Sequence, residues 1–232
     1  MRLKVMTFNT QHCLNYLEQK IDFDIMAKVV NNFAPDIVGF NEMYYDGAAP
    51  DFSDQTGTLA EACEIPFHYF GEALRAGPYG RYGNGLAARF APVSVETVKI
   101  PSPDDGKYHE PRSLIKACFE GGLTVLVSHF GLNDEEKKNA VETVLSLAQK
   151  EKCILMGDFN MTPDCEILAP IFEAMKDASA AAEGACLSYP SPTPERKIDY
   201  IFVSRDIEVA RADVPAWIAS DHRPHIAELI IH

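Results

Sequence analysis

An acid and an amide two residues apart, Asp158 and Asn160 of Gly157-Asp158-Phe159-Asn160, directly follow the apolar run Cys153-Ile154-Leu155-Met156. A short apolar run that ends at glycine reads as a buried strand. Residues i and i+2 of an extended segment point to the same side. A carboxylate and a carboxamide aimed together from the end of a core strand suit the positioning of a water against a phosphate. Gly, Asp and Asn are also the commonest turn formers, so a plain turn is the competing reading.

Other polar groups occupy the same kind of place. Val5-Met6-Thr7-Phe8 leads to Asn9, and Ile37-Val38-Gly39-Phe40 leads to Asn41 and Glu42. Leu126-Val127-Ser128 leads to His129, Ile198 leads to Asp199, and Ser220-Asp221-His222-Arg223-Pro224-His225 comes late in the chain. Strand ends that converge on one rim are where layered α/β folds build their sites. Glu42 and Asp221 are hard oxygen donors and Asn9 adds a neutral one. Such a set, completed by waters, suits Mg²⁺, with Mn²⁺ as a second candidate. Singly, Glu42 reads as a solvated surface acid, His129 as a satisfied polar residue near the core, and Asp221-His222 as a turn. Together, and in this order, they are much harder to dismiss.

The elements that must position these groups alternate between strand and helix, with further strand–strand stretches. Residues 2–9 predict a strand. Residues 22–33 predict a helix with Ile25, Met26, Val29, Val30 and Phe33 on one face, ended by Pro35. Residues 36–40 follow as a strand, residues 53–63 as a short helix, and 66–71, 84–90 and 93–99 as strands. Residues 111–119 and 122–130 predict paired strands about Gly121-Gly122. Asn133 and Glu136 form a capping-box-like start to a helix reaching about residue 150. A helix near 164–175, a loop over 186–196 with Pro190, Pro192 and Pro194, and strands near 198–203, 206–212 and 225–231 complete the chain. The pattern predicts a single domain over residues 1–232, with two packed sheets and helices outside.

The 232 residues carry a formal net charge of −13, with 34 acids against 21 Lys and Arg. A nucleic-acid binder gains affinity from a basic face. A long polynucleotide is therefore disfavoured as the substrate, although a local basic groove stays open. No run approaches the roughly 20 apolar residues that span a bilayer. The N-terminal stretch enters a strand pattern directly, without a secretion-signal core. The six cysteines form no C-x-x-C pair. That argues against a zinc cluster and for a reducing, cytoplasmic setting.

The order Thr7-Phe8-Asn9, Asn41-Glu42, His129, Gly157-Asp158-Phe159-Asn160, Lys197-Ile198-Asp199-Tyr200-Ile201-Phe202-Val203 and Ser220-Asp221-His222 resembles the endonuclease/exonuclease/phosphatase superfamily, the deoxyribonuclease I-like phosphoesterases. The resemblance implies a four-layer α/β sandwich, two mixed β-sheets flanked by helices, with the site at one end. It implies Glu42 as the principal metal ligand with Asn9 beside it and Asp221 close to the metal. It implies Asp158 as the acid that positions or activates water, Asn160 as the amide on the phosphate, and His222 as the catalytic histidine oriented by Asp199. His129 matches a second site histidine, and Asn133 and Arg112 are the expected substrate contacts. Asn41 stands where the family often has Gln, with little consequence expected. Gln11 stands where some nucleases carry another acid, which weakens the case for a second tightly held metal. Glu110 is a candidate to orient His129; a salt bridge on a hairpin strand is the alternative.

Three functions follow. The first is a metal-dependent phosphatase or phosphodiesterase of a small or lipid-derived phosphate ester. The second is a nuclease, for example at abasic sites, which needs Arg75, Arg81, Arg89 and Arg112 to line one groove, with aromatics such as Tyr79 and Tyr82 stacking on bases. The Gly77–Gly83 segment reads equally as a loop closing over a small ligand. The third is a non-catalytic binding domain on the same fold.

Overall fold

The computed structural model describes all 232 residues. In chain order its elements begin with β1 (Arg2–Asn9), a small hairpin of β2 (Leu14–Asn15) and β3 (Lys20–Ile21), and α1 (Phe23–Phe33). Next come β4 (Ile37–Tyr45), α2 (Gln55–Ala62), β5 (Phe67–Arg75), β6 (Arg81–Ala88) and β7 (Ser94–Ile100). They are followed by β8 (Arg112–Cys118), β9 (Thr124–His129), α3 (Asp134–Leu147) and β10 (Cys153–Asp158). The last elements are α4 (Ala169–Ala174), β11 (Lys176–Asp177), β12 (Asp199–Val203), β13 (Glu208–Asp213) and β14 (His225–Ile230).

Local chemistry sets the boundaries. Asp22 caps α1 through Oδ1, which accepts from the Ile25 amide at 3.1 Å. Asn133 and Glu136 form the expected capping box of α3, each accepting from the other's backbone amide. Gly121 and Gly122 adopt φ of 76° and 82° between β8 and β9, a left-handed pair that glycine takes without cost. The predicted helix near 164–175 is a 3₁₀ turn (Glu166–Leu168) running into the short α4.

Two six-stranded sheets result, ordered β13-β14-β1-β4-β6-β5 and β11-β12-β10-β9-β8-β7. Each contains one parallel pair, β1/β4 and β10/β9, among antiparallel neighbours. Parallel neighbours need a crossover, which α1 supplies in the first sheet and α3 in the second. Period-two alternation divides the apolar residues between two sides of each sheet. Val5 and Ile37 meet Val127, Ile154 and Met156 between the sheets. Phe8, Val38 and Phe40 face outward onto Met26, Val30 and Leu59 of the first helix layer. Leu126, Leu155 and Phe202 face Val141, Val144 and Ile171 of the second. The four-layer sandwich expected from the sequence is the observed architecture.

Candidate functional site

Register gathers the polar strand ends. Asn9 pairs with Asn41 across β1/β4, and Asp158 pairs with His129 across β10/β9 and with Asp199 across β10/β12. β12 is antiparallel to β10, so its first residue lies level with the last residue of β10. Gly157 is required here: a Cβ would stand 1.8 Å from the Ser128 carbonyl oxygen, and its φ is +147°.

The tightest part is built on His222. Its Nδ1 lies 2.8 Å from Asp199 Oδ2 and its Nε2 3.6 Å from Asp158 Oδ2, with all three residues buried. Burial opposes a charge on the imidazole, but Asp199 and Asp158 outweigh it and raise the His222 pKa to about 10. Burial pushes the Asp158 carboxyl up, Asp199 adds to the push, and His222 pulls the other way. Tyr189 covers the His222 ring at a centroid distance of 4.8 Å.

Asn9 ties this corner to Glu42. Its Nδ2 donates to Glu42 Oε1 at 3.0 Å and to Asp158 Oδ2 at 3.1 Å, and its Oδ1 accepts from the Gln11 amide at 3.0 Å. Asn9 therefore positions two carboxylates as well as offering an oxygen. Glu42 is aimed by a break in the pairing of β4 with β6 between Phe40 and Met43, where Glu42 itself takes a φ of 64°. A left-handed non-glycine residue costs on the order of 1–2 kcal/mol and marks a position held in place by its surroundings. Burial raises the Glu42 carboxyl, and repulsion from Asp221 raises it further.

These observations fit a divalent cation. Asp158, Asp199 and His222 bring ligand atoms within 4.8 Å of one another. Two buried oxygens, Asp199 Oδ1 and Gln11 Oε1, have no hydrogen-bond partner. Glu42, Asp158 and Asp221 are hard donors whose mutual repulsion a cation would relieve. Because Asp199 and His222 are bonded to each other, they form a relay, and Glu42, Asp158 and Asp221 are the better donor set.

On the other side, His129 differs from expectation. Glu110 does not orient it; Glu110 Oε1 pairs with Arg112 Nη2 at 2.9 Å. Arg112 Nη1 instead reaches His129 Nδ1 at 3.1 Å. A guanidinium only donates, so Nδ1 accepts and the ring proton lies on Nε2, which is 3.6 Å from Asp158 Oδ2. Burial and the Arg112 charge hold the His129 pKa well below its usual value. Asn160 also joins the site by a different route from the one proposed. Its φ is 52°, so it leaves the strand in a turn closed by Asp158 Oδ1, which accepts from the Asn160 amide at 2.9 Å. The turn, not strand alternation, places Asn160 Nδ2 3.2 Å from His129 Nε2. Asn133 stands apart from these groups. It caps α3, and its Nδ2 faces His109 Nδ1 at 3.1 Å.

Asn41 has a part that the sequence reading passed over. Its Oδ1 accepts from the Asp158 amide at 2.9 Å, and its Nδ2 donates to Asn84 Oδ1 at 2.8 Å and to the Ser128 carbonyl at 3.0 Å. Asn84 continues to the Ser113 carbonyl at 2.9 Å. This buried amide chain bolts the two sheets together behind Asp158. The only sequence signal was an amide at a strand end. The loop over 186–196 likewise grips the Ser220–His222 segment: Ser191 Oγ donates to the Ser220 carbonyl at 2.6 Å and the Ser191 amide to the Asp221 carbonyl at 2.7 Å.

A family model described as the endonuclease/exonuclease/phosphatase family matches residues 6–222. No curated protein matches the chain. Among solved structures, an endonuclease/exonuclease/phosphatase from Beutenbergia cavernae superposes with a TM-score of 0.84 at 23% identity, over 99% of this chain and 72% of that one. A mannosyl-6-phosphatase from Bacteroides thetaiotaomicron superposes with a TM-score of 0.74 at 18% identity, over 99% and 100%. The human nocturnin catalytic domain with a bound sulfate anion gives 0.74 at 15% identity, over 100% and 95%.

Proposed function

We propose that this chain, which belongs to the endonuclease/exonuclease/phosphatase family, is a Mg²⁺- or Mn²⁺-dependent hydrolase of a small or lipid-derived phosphate ester. The observation that carries the reading is the buried relay Asp199–His222–Asp158, at 2.8 and 3.6 Å, bridged through Asn9 to Glu42. Glu42 and Asp221 would hold the cation, with Asn9 steering Glu42. When bound, the cation supplies charge neutralisation at the phosphoryl oxygens and the leaving oxygen.

The chain's own residues supply the rest. Asp158 orients the attacking water in line with the leaving group. Asp199 fixes the His222 ring so that Nε2 presents a proton to the reacting phosphate. Asn160 Nδ2 and His129 Nε2–H lie together on the other side and donate to phosphoryl oxygens. Arg112 orients His129 and adds positive charge behind it.

The arginine positions support a small substrate over a polynucleotide. Arg75 and Arg81 are occupied by Glu72, Arg81 also by Asp46, and Arg89 by the Pro35 carbonyl. Only Arg112 is in the site, so no basic groove is lined. The likeness to a mannosyl-6-phosphatase agrees with a small phosphate ester. The deciding experiment is hydrolysis of phosphomonoesters, phosphodiesters, sphingomyelin and abasic DNA with Mg²⁺ and with EDTA. Mg²⁺-dependent turnover of a small ester, abolished by EDTA, is expected. Turnover of abasic DNA alone would establish the nuclease reading, and no turnover of any probe would leave a binding domain.

A further inference from the structure

Beside Glu42 the cleft has a wall of rings that no step above uses. His12 Nδ1 stands 4.0 Å from Glu42 Oε2, and the His12 ring meets Tyr44 edge-on at 5.7 Å. Tyr44 in turn meets Phe52 at 5.2 Å, Tyr79 at 5.8 Å and Tyr82 at 5.2 Å, and Phe52 meets Tyr79 at 5.1 Å. The wall faces the site: the Tyr44 and Tyr82 phenols are raised first by burial and then by the charge of Glu42, and Glu110 contributes to both. Tyr79 stands at the outer end, 50% exposed.

The wall is held rigidly by backbone. The Ala48 amide donates to the Pro78 carbonyl at 3.2 Å, and the Ala76 amide to the Gly80 carbonyl at 2.7 Å. Gly80 has a φ of +85°, and a Cβ there would stand 2.4 Å from the Tyr45 carbonyl oxygen. The loops so joined are uncharged or acidic. Residues 46–54 carry Asp46, Asp51 and Asp54, and neither they nor residues 76–80 include Lys or Arg. The phenol hydroxyls that bond within the protein are those of Tyr69 and Tyr200, so Tyr44, Tyr79 and Tyr82 keep theirs free.

We infer that the Tyr44–Tyr79–Tyr82 wall is the leaving-group subsite, and that it takes a neutral, polyhydroxylated ring, the sugar or cyclitol part of a phosphate ester. The inference rests on the phosphoesterase reading and names its substrate class. Ring faces stack on the apolar side of such a ring. Free phenols and the Glu110 carboxylate meet its hydroxyls. The acidic loops repel further phosphates, which separates this substrate from a polynucleotide.

The test compares glucose 6-phosphate with ethyl phosphate, two monoesters of primary alcohols that differ in the ring, with adenosine 5′-monophosphate as a third probe. Glucose 6-phosphate is expected to have the highest kcat/KM. Tyr79→Ala is expected to raise its KM about fivefold or more, the scale of one lost stacking contact, while leaving kcat and the ethyl phosphate kinetics unchanged. Equal kcat/KM for the two esters, an equal loss on both in Tyr79→Ala, or a preference for adenosine 5′-monophosphate would overturn the inference. Saturation-transfer NMR with methyl α-glucopyranoside adds a readout free of turnover. If no ester is hydrolysed, the phosphoesterase reading fails. Ring contacts that are lost in Tyr79→Ala then uphold the subsite, and no contacts in the native protein overturn it.

Discussion

The His222 corner and the Glu42 rim lie side by side and are built on opposite terms. In the corner, His222, Asp199 and Asp158 are buried and bonded to one another. At the rim, rings meet edge-on, hydroxyls stay free, and Tyr79 is half exposed. A phosphoryl group is the same in every ester, so the groups that act on it are best fixed in a dry, low-dielectric corner. The alcohol differs from ester to ester, and it meets the surface that loops supply. The corner thus carries the reaction class and the rim carries the choice of substrate.

Breaking the corner gives the largest effect. His222→Ala removes the proton that faces the phosphate and leaves Asp199 without its partner. The expected loss in kcat is at least ~100-fold, the usual scale for a positioned acid–base group. A folded variant with near-normal turnover would show that the relay is structural. The bolt behind the corner comes next. Asn41→Ala strands the Asp158 amide, the Ser128 carbonyl and Asn84 Oδ1. Each buried group left unpaired costs about 1–3 kcal/mol, so urea denaturation is expected to show a loss near the top of that range. A change within error would mean that the sheets are held by apolar packing alone.

The corner was legible in the sequence because its groups follow apolar runs, and strand register then does the gathering. Asn9, Glu42, His129, Asp158 and Asp199 all lie at strand ends or at a bulge within a strand. What escaped was conformation at single residues and contacts between distant ones. The left-handed turns of Asn160 and Glu42 have no periodicity to betray them. The Arg112–His129 contact joins β8 to β9, and a carboxylate was the expected partner. Asn41 read as a shorter replacement for Gln, whereas its reach to Asn84 and Ser128 depends on how closely the two sheets pack. The rim was the least legible, since Phe52 and Tyr79 meet only because the 46–54 and 76–80 loops bond to each other.

Acid sharpens the contrast through His225, buried beneath the corner with Nδ1 3.3 Å from the Asp199 carbonyl. Burial, helped by Lys197, lowers its pKa from 6.5 to about 4. The unfolded chain binds the proton below pH 6.5, but the folded one does not until about pH 4. Stability is therefore complete above 6.5 and is lost as pH falls towards 4. At pH 5 the gap from 6.5 corresponds to about 2 kcal/mol. His129 acts in the same direction, whereas His222, raised to about 10, contributes stability below 6.5 that is lost as pH rises through 10. Comparison with His225→Gln isolates the one residue: native and variant proteins are expected to converge in stability by about 2 kcal/mol between pH 7.5 and 5. A pH-independent difference would place the His225 proton elsewhere.

The smallest effect belongs to the rim's charges. Asp46 is 3.6 Å from Arg81 Nη2 and its side chain is 62% exposed, and Arg81 keeps Glu72 at 3.5 Å if Asp46 is neutralised. An exposed pair of this kind contributes about 0–1 kcal/mol, so Asp46→Asn is expected to shift the melting temperature very little. The loop is fixed instead by the Asp46 amide on the Ser53 carbonyl at 2.7 Å and the Gly47 amide on the Phe52 carbonyl at 2.9 Å. Gly80→Ala attacks that backbone lock directly, through both the left-handed φ and the clash with Tyr45. It is expected to destabilise the protein more than Asp46→Asn does, and to loosen Tyr79 while sparing the His222 corner. The reverse order in a pair of melting curves would make the rim an electrostatic structure, and would remove the physical basis for treating its ring wall as preformed.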